Sequence, residues 1–505
     1  MTVNTVKIFP SIGIARLGNS LNEFFIGPEI PGIYNPPSSG YKDSNFHVKR
    51  QAACFHLFGY EIGSTVAKEI TLLDADIKWT VELANTKADW FKFDDVEHPS
   101  TVLRNHTITG ANRASLRITP GPRVLDSTES ITSKAFDTGT FGPDSVPLGE
   151  MQIDSDGHLL VLGGFGKSRS PGGNEIKHFA NNDDWYDDVS DGPVRASLRL
   201  KGTSTWIEAS PAWVICAPPK FVPPIPHIIT LYDMLLQVAK KRNLSGVEEL
   251  LPPDTPSFTK DIYPILYRAM NIKWISILDG VRHTKIQAAM PLPGPDTQAQ
   301  RIARRKVFAR IRDPNTNAHE QIFEQEMPKL WSDVYDRANV VSQALTEIQY
   351  HVLKQWRDGN FVNDWSNPPT PENQITPEGL IRAALESCVG GPLYPGIETS
   401  FMTRDTYAFV EPFRLDATLL KPGDLTKQMG VPWQADFFEC GYDDPLFWWP
   451  MHHPSHVLPI DGGPQRKWIR DEDDIDTPEK FIEKWHKLGF VIQQEDQYVE
   501  SERNP

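Results

Sequence analysis

Five prolines lie between Ala217 and His227, and they separate two parts of the chain that have different patterns. Proline fixes φ and has no backbone N–H, so this run cannot continue a helix or a central strand. We therefore interpret it as a domain boundary or a rigid connector. At 505 residues, the chain is long enough for two or three domains, or for one large body with insertions.

Before the prolines, short runs with alternating apolar residues are separated by Gly, Pro, Asn and Asp. Such runs occur at residues 69–73, 77–83 and 197–201. Alternation with a period of two is typical of half-buried strands, and the separating residues are typical of turns. We predict a β-rich region over residues 1–220.

After the prolines, apolar residues recur at helical spacing in residues 228–243, 257–270 and 328–357. We therefore predict a mainly helical region over residues 221–375. Residues 376–505 begin with a helix start and are then rich in Gly, Pro, Trp and Phe. The predicted fold class is α+β, with the functional site in this irregular C-terminal region.

Charge and cysteine usage exclude several classes of protein. A net charge of −15 argues against nucleic acid as a partner, and the basic run 301–312 fits a solvated helix face. The four cysteines are far apart and lack the C-x-x-C spacing of a zinc site, which favours a reducing compartment. Without a signal-peptide pattern in residues 1–17 or an apolar run of membrane length, we expect a soluble, cytoplasmic protein without a membrane partner.

Two segments resemble a phosphate-binding loop and a metal site, but neither segment fits the requirements of that site. Residues 160–168 look like a phosphate-binding loop, but Val161 stands where that loop needs its first glycine, so we predict a tight turn after a strand. His452, His453 and His456 could hold a metal, yet the prolines among them prevent one helix from aligning them. We predict no metal there but a polar loop that lines a pocket, and a metal hydrolase remains an alternative.

The segment 432–440 combines an acid, a thiol and aromatic residues. Proline at its start predicts a short helix, which would place Asp436 one turn below Cys440. A carboxylate in an apolar shell has a raised pKa and can move protons near neutral pH. On spacing alone, however, such a pair is more often a buried structural cysteine with an acid nearby.

The sequence resembles the lysine ε-oxidase and glycine oxidase family, whose members carry cysteine tryptophylquinone. The strings that carry the resemblance occur in the family's order, at residues 11–20, 24–29, 181–194, 388–398, 422–429, 432–440, 448–450 and 485–491. The resemblance implies a cofactor in which a tryptophan is oxidised to a quinone and crosslinked through a thioether to Cys440. Trp485 is our choice for that tryptophan and Trp468 is the second, followed by Trp448 or Trp449.

The resemblance implies a quinoprotein amino-acid oxidase. It would oxidatively deaminate a primary amine, in our interpretation a free amino acid, use O2 as electron acceptor, and release NH3 and H2O2. Amine oxidation needs an electron sink that no ordinary side chain provides, and the chain lacks a flavin or nicotinamide fingerprint. Asp436 would assist cofactor assembly and act as the base that takes the substrate proton.

Three further site residues are predicted by the same resemblance. Tyr186 would orient the substrate or the quinone, Cys388 would line the pocket, and His453 or His452 would face the substrate. A core tyrosine and a buried structural cysteine are the alternatives. The residues after Trp448-Trp449-Pro450 depart from the family pattern. The sequence therefore does not decide whether the substrate is oxidised at its α-amine or at a side-chain amine.

The resemblance also implies partners. These are a homo-oligomer and a separate flavoprotein that oxygenates the tryptophan during maturation. The alternative to an oxidase is a relative that keeps the fold as a binding protein without a mature quinone.

Overall fold

The N-terminal half is built mainly from short strands. A computed structural model describes residues 3–34, 36–61, 63, 66–93, 101–276, 284–291, 296–314, 331–336, 339–342, 344–365, 374–391, 395–439 and 453–505. The strands of the first half are β1 (Thr5–Phe9), β2 (Ile12–Arg16), β3 (Phe24–Ile26), β4 (Arg50–Tyr60), β5 (Ala67–Ile70), β6 (Ala75–Val81), β7 (Arg123–Asp126), β8 (Ser133–Ala135), β9 (Thr140–Phe141), β10 (Asp144–Ser145), β11 (Glu150–Ile153), β12 (Leu159–Leu162), β13 (Ser168–Arg169), β14 (Tyr186–Asp187), β15 (Ser190–Leu200), β16 (Ile207–Ser210) and β17 (Ala212–Ala217).

Thirteen of these strands form one sheet, and part of it closes on itself. The order β1-β16-β15-β17-β2-β4 returns to its start because β1 also pairs with β4. The sheet continues from β4 through β12 and β11 to β8. On β6, Ile77 and Trp79 are fully buried while their neighbours are half-buried, as the alternation in the sequence predicts. The predicted β-rich N-terminal half is confirmed.

The helices follow the proline-rich connector. Among the described residues they are α1 (Leu231–Arg242), α2 (Tyr263–Asn271), α3 (Gln298–Phe308), α4 (Glu347–Asp358), α5 (Pro377–Glu386), α6 (Trp433–Glu439) and α7 (Pro478–Lys484). Thr230 caps α1 and Thr376 caps α5, each through its side-chain oxygen. None of these helices is long and apolar enough to cross a membrane.

Short hairpins complete the second half of the chain. Their strands are β18 (Trp331–Asp336), β19 (Asn339–Ser342), β20 (Phe409–Glu411), β21 (Arg414–Leu415), β22 (His456–Val457), β23 (Arg466–Lys467), β24 (Phe490–Gln494) and β25 (Gln497–Ser501). Our prediction of helix over residues 328–357 was wrong for β18 and β19, and only α4 is helical. The valines and aromatic residues of this hairpin favour extended backbone, which outweighs the helical spacing.

One buried cluster joins all three predicted regions. It contains Leu17 from the first region, Phe258 from the helical region, and Trp433 and Trp485 from the last. The C-terminal end is also fixed to the first region, because the Glu502 carboxylate accepts hydrogen bonds from the backbone N–H groups of residues 41 and 42. The C-terminal region therefore lies against the other two.

Candidate active site

The helix α6 lies at the centre of the candidate site. Six consecutive residues of this helix, 433–438, are buried, and Asp436 is only 2% exposed. The predicted short helix is thus present. Cys440 follows the helix but lies outside the described residues, as do Trp448, Trp449 and His452.

A buried ion pair fixes the start of α6. Asp187, on β14, accepts a hydrogen bond from the backbone N–H of Trp433 at 2.9 Å and pairs with the Lys87 ammonium at 2.7 Å. Both Asp187 and Lys87 are fully buried, and Lys87 also donates to the carbonyl of Gly430 at 3.0 Å. Burial lowers the pKa of Lys87, although the charge of Asp187 opposes this. The pair therefore connects α6 to the N-terminal half.

A second buried cation lies near the same helix. Arg104 is fully buried and donates to the carbonyl of Lys87 at 3.0 Å. Burial lowers the pKa of Arg104 to about 10, while the charges of Asp187, Asp183 and Asp436 act in the opposite direction. Asp436 is thus within electrostatic reach of two buried cations, Lys87 and Arg104.

Aromatic rings surround α6. The ring of Trp485 lies 5.8 Å from that of Trp433, and Phe481 lies 5.6 Å from Phe437. Phe481 of α7 and Trp485, which directly follows α7, therefore both pack against α6. Trp485 and Trp468, the two candidate tryptophans, are 2% and 1% exposed. This shell keeps solvent from most of the helix.

His453 is part of the same shell. Its ring lies between Phe437, at 4.5 Å, and Trp468, on which it stacks at 5.5 Å. Burial lowers the pKa of His453 to about 4, so the imidazole is neutral at physiological pH. His456, by contrast, lies on β22 and is near the charge of Lys467. The two described histidines of this segment thus have different neighbours.

The glycine-rich turn after β12 contacts the shell. Gly166 has φ +71°, and a Cβ atom there would lie 2.3 Å from Cζ2 of Trp485. The Gly166 carbonyl accepts a hydrogen bond from the Gln434 side chain, and Ser168 donates to the same side chain at 2.6 Å. Where a tight turn was predicted, the chain leaves β12 and bends at Gly166. Its contact with the site was missed, although three glycines in four residues signal a close approach of backbone to another group.

Tyr186 belongs to a different cluster from the candidate tryptophans. Its hydroxyl donates to Asp144 at 3.1 Å and its ring lies 5.2 Å from Phe141, within the core of the sheet. Burial, followed by the charge of Asp144, raises the pKa of Tyr186 to about 12. Neighbouring residues of a strand point to opposite faces, so it is Asp187 that faces α6. Our sequence analysis did not select Asp187, although it stands next to Tyr186 in the same acidic string.

Cys388 lies in a buried polar cluster. Its thiol is 3.7 Å from the Arg16 guanidinium, which also forms an ion pair with Glu398 at 2.5 Å. Lys220 donates to the carbonyl of Ser387 at 2.7 Å. Burial raises the pKa of Cys388 to about 12 and lowers that of Lys220 to about 8. Phe221, which follows Lys220 in the chain, contacts three residues of the aromatic shell: Phe437, Trp468 and Phe490. The polar cluster around Cys388 therefore adjoins the shell.

A surface groove of about 680 Å³ runs beside α7. It is lined by Ser168, whose hydroxyl contacts Gln434 of α6, and by Trp185. Two carboxylates, those of Glu479 and Glu483, also line it. The groove therefore has acidic side chains and includes a residue, Ser168, that contacts the candidate site.

Comparison with known proteins gives matches along most of the chain. A family model described as "L-Lysine epsilon oxidase N-terminal" matches residues 9–216, and one described as "L-lysine epsilon oxidase C-terminal domain" matches residues 332–458. The L-lysine 6-oxidase of Marinomonas mediterranea is 28% identical over 534 aligned positions, which cover 86% of this chain and 71% of that protein.

Solved structures show the same fold. The ε-lysine oxidase of Marinomonas mediterranea has a TM-score of 0.82 at 22% identity, covering 99% of this chain and 95% of that one. A second structure, described as the Schiff base intermediate of that L-Lys ε-oxidase with L-Lys, has a TM-score of 0.81 at the same identity and coverage. The likeness confirms an α+β architecture.

Proposed function

The chain belongs to the L-lysine ε-oxidase family, and from this membership we propose that it is an amine oxidase. In the proposed reaction, a free amino acid loses a primary amino group as ammonia and becomes a carbonyl compound. Water supplies the carbonyl oxygen, and dioxygen is reduced to hydrogen peroxide. The observation that carries the proposal is the buried Asp436 on a helix enclosed by aromatic rings, two of which belong to the candidate tryptophans.

The proposed cofactor is cysteine tryptophylquinone made from Cys440 and Trp485, with Trp468 as the second choice. Both indoles are buried in the shell around α6, and Cys440 follows that helix directly in sequence. Trp485 contacts the start of the helix through Trp433, whereas Trp468 contacts its later part through His453 and Phe437. Such a quinone would supply the electron sink that amine oxidation requires.

Asp436 is the proposed base for the proton on the carbon next to the amine. A carboxylate removed from water is a stronger base than a solvated one, because no water stabilises its charge. The cations of Lys87 and Arg104 act in the other direction and favour the charged carboxylate. A desolvated carboxylate with cations nearby is suited to accept a proton from carbon.

The neutral His453 and the aromatic rings would exclude water from the reaction. His453 contacts Phe437 and stacks on Trp468, so it would contribute to the shell without adding a charge. Cys388 and its charged neighbours adjoin the shell through Phe221 and are proposed to line the pocket. Tyr186 is proposed to act indirectly, through the strand that also carries Asp187.

A cationic substrate is consistent with the charge of the surface. Primary amines are protonated near neutral pH, and the groove beside α7 offers Glu479 and Glu483. The net charge of −15 would also attract a cation over a longer range. We therefore propose that the substrate enters by this groove.

Substrates that have one amine blocked distinguish the two possible positions of attack. Hydrogen peroxide release would be measured with glycine, L-lysine, Nα-acetyl-L-lysine and Nε-acetyl-L-lysine. Activity with the Nα-acetyl compound places oxidation at the side-chain amine, whereas activity with glycine or the Nε-acetyl compound places it at the α-amine. A mature chain that oxidises none of these compounds would contradict the proposal of a free amino acid.

Intact-mass measurement tests the cofactor. Two oxygens gained and four hydrogens lost should raise the mass by roughly 28 Da, together with a visible quinone absorption band. The chain must be produced with its flavoprotein, which we propose as the maturation partner, and a homo-oligomer is the proposed assembly. Cys440→Ala should lack the crosslink, and peptide mapping should identify the modified tryptophan. An unmodified mass after maturation with that partner would overturn the proposal.

A further inference from the structure

A second cluster of polar side chains lies on the sheet, outside the candidate active site. Cys54 and His56 are two residues apart on β4, and His158 precedes β12, which pairs with β4. Their potential ligand atoms lie within 4.8 Å of one another. Cys54 and His56 are buried and His158 is half-buried. A thiol and two imidazoles on one face of a sheet are the donor types that bind zinc.

The distance between Cys54 and His56 suits one shared ion, while the Glu29 carboxylate is at hydrogen-bonding distance from His56 and would shift by several tenths of an ångström to become a ligand. Sγ of Cys54 lies 3.4 Å from Nε2 of His56, and that nitrogen lies 2.7 Å from the Glu29 carboxylate. Ligands of one tetrahedral zinc ion are about 3.5 Å apart, given zinc–sulfur and zinc–nitrogen bonds of about 2.3 and 2.0 Å. Glu29 follows β3 in the chain and thus supplies a ligand from a different segment.

Each histidine also has a carboxylate on its other ring nitrogen. Nδ1 of His56 is 2.5 Å from Glu69, and Nδ1 of His158 is 2.8 Å from Asp154. Metal-binding histidines commonly donate their second N–H to a carboxylate, which orients the ring and increases its basicity. Nε2 of His158 also lies 3.1 Å from the Glu69 carboxylate, so this contact would be exchanged for the metal on binding.

We propose that Cys54, His56, His158 and Glu29 form a structural site for zinc or a similar divalent metal, with Glu69 and Asp154 as its outer carboxylates. Binding replaces the protons on Sγ of Cys54 and on Nε2 of both histidines, and these three protons pass to solvent. The sequence analysis predicted no metal site, because the cysteines are far apart and Cys54 is 104 positions from His158 in the sequence. Pairing of β4 with β12 brings them together.

The charges of the cluster favour a cation. Three carboxylates and one thiol surround two imidazoles, so a divalent ion would balance negative charge that is partly removed from water. The ion would also join three segments: the residues after β3, the strand β4 and the turn between β11 and β12. Its role would therefore be to stabilise one part of the sheet.

The test measures metal content and stability, which do not depend on the quinone. The full chain, freed of any histidine tag and purified without chelator, should contain one zinc per chain by elemental mass spectrometry. After removal of the metal, titration with zinc should raise Tm, and cobalt should give a thiolate charge-transfer band. Cys54→Ala and His158→Gln should lose the bound zinc, the cobalt band and the rise in Tm.

Two further variants refine the test. Asp154→Asn should weaken zinc binding by roughly 10- to 100-fold, as expected for an outer carboxylate. Cys216→Ala, which removes an equally buried thiol on β17, should keep the site intact. If the unmodified chain binds no zinc, or if Cys54→Ala and His158→Gln bind it as tightly, the cluster is only a network of imidazole–carboxylate pairs and the proposal is wrong.

Discussion

Trp485 can lie where it does because residue 166 has no side chain. The glycine has φ +71°, and its Cα lies against the indole so closely that a Cβ atom would overlap Cζ2. The glycine-rich stretch that resembles a phosphate-binding loop thus lets the backbone approach an aromatic ring. A sequence can show that backbone comes close to something at such a position, but only the fold shows that the partner is Trp485.

Gly166→Ala should destabilise the protein more than an alanine at a glycine with free space. Gly173 is the matched control, because its φ of +74° is similar and no atom lies within 4 Å of the position that a Cβ would take. Because alanine disfavours a positive φ, we expect each substitution to lower the free energy of unfolding by about 1 kcal/mol. At residue 166 we expect a further loss of about 1–3 kcal/mol from overpacking against Trp485. Urea unfolding of both variants measures the difference. Equal losses would contradict the close approach to Trp485.

Asp436→Asn should remove the proposed base with little change in shape. We expect kcat for amine-dependent hydrogen peroxide release to fall by about 100- to 10 000-fold. Absorption and intact mass of the same sample would distinguish lost chemistry from lost maturation. Glu439→Gln, an exposed acid on the same helix, should stay within a few-fold of the unmodified enzyme. A mature Asp436→Asn enzyme with normal kcat would exclude this residue as the base.

Asp188 should make stability depend on pH. Burial raises the pKa of Asp188 to about 7, so the folded chain keeps a proton that the unfolded chain releases near pH 4. The stabilisation is therefore complete in acid and is lost as pH rises to about 7. As pH rises from about 4 to about 7, the free energy of unfolding of Asp188→Asn should therefore increase by about 3–4 kcal/mol relative to that of the unmodified chain. Unfolding at several pH values tests this, and the exposed Asp137→Asn should show no such gain.

At the scale of elements, local sequence signals predicted many of the strands and helices. The contacts between distant residues could not be predicted in this way. The alternation in β6, the apolar spacing of α1, the helix start at residue 376 and the proline before α6 all depend on neighbouring residues, and those elements are present. The hairpin of β18 and β19 was predicted as helix, because apolar spacing alone does not distinguish the two. The ion pair that fixes α6 joins residues 100 positions apart, and no local pattern reveals such a pair.

Lys87→Met should weaken the attachment of α6. The substitution leaves the Asp187 carboxylate fully buried without its cation, which we expect to cost about 3–5 kcal/mol of unfolding free energy. Lys78→Met is the control, because Lys78 forms a partly exposed pair with Asp126 that should contribute less than about 1 kcal/mol. Denaturant unfolding followed by tryptophan fluorescence compares the two. Similar small losses would show that the buried pair contributes little.

At the scale of the whole molecule, the three predicted regions are joined rather than separate. The largest buried cluster takes residues from each region, so the candidate site has no core of its own. Composition and the proline-rich connector predicted where β structure gives way to helices. They could not predict that residues of the first region and of the last hairpin would share one buried cluster with α6, because that depends on packing between distant segments.

Glu502→Ala should destabilise the whole molecule although it lies close to the C-terminus. The carboxylate accepts hydrogen bonds from two backbone N–H groups of the first region, at 3.0 and 2.7 Å. Leaving these donors without a partner should cost about 1–3 kcal/mol. Asp496→Ala, in the exposed turn between β24 and β25, should cost less than about 0.5 kcal/mol. Thermal unfolding compares the two, and equal Tm values would refute the role of Glu502.

The position of the last residues has a consequence for biosynthesis. Residues 485–502 leave the ribosome after the N-terminal sheet and α6, and they supply Trp485, the hairpin of β24 and β25, and the contact of Glu502 with the first region. During synthesis the N-terminal sheet can form while this end is still missing. The shell around α6 can therefore close only after residues 485–502 have emerged from the ribosome. An enzyme of the kind proposed for maturation would reach a tryptophan of this shell in the interval before the hairpin of β24 and β25 docks, or when it reopens.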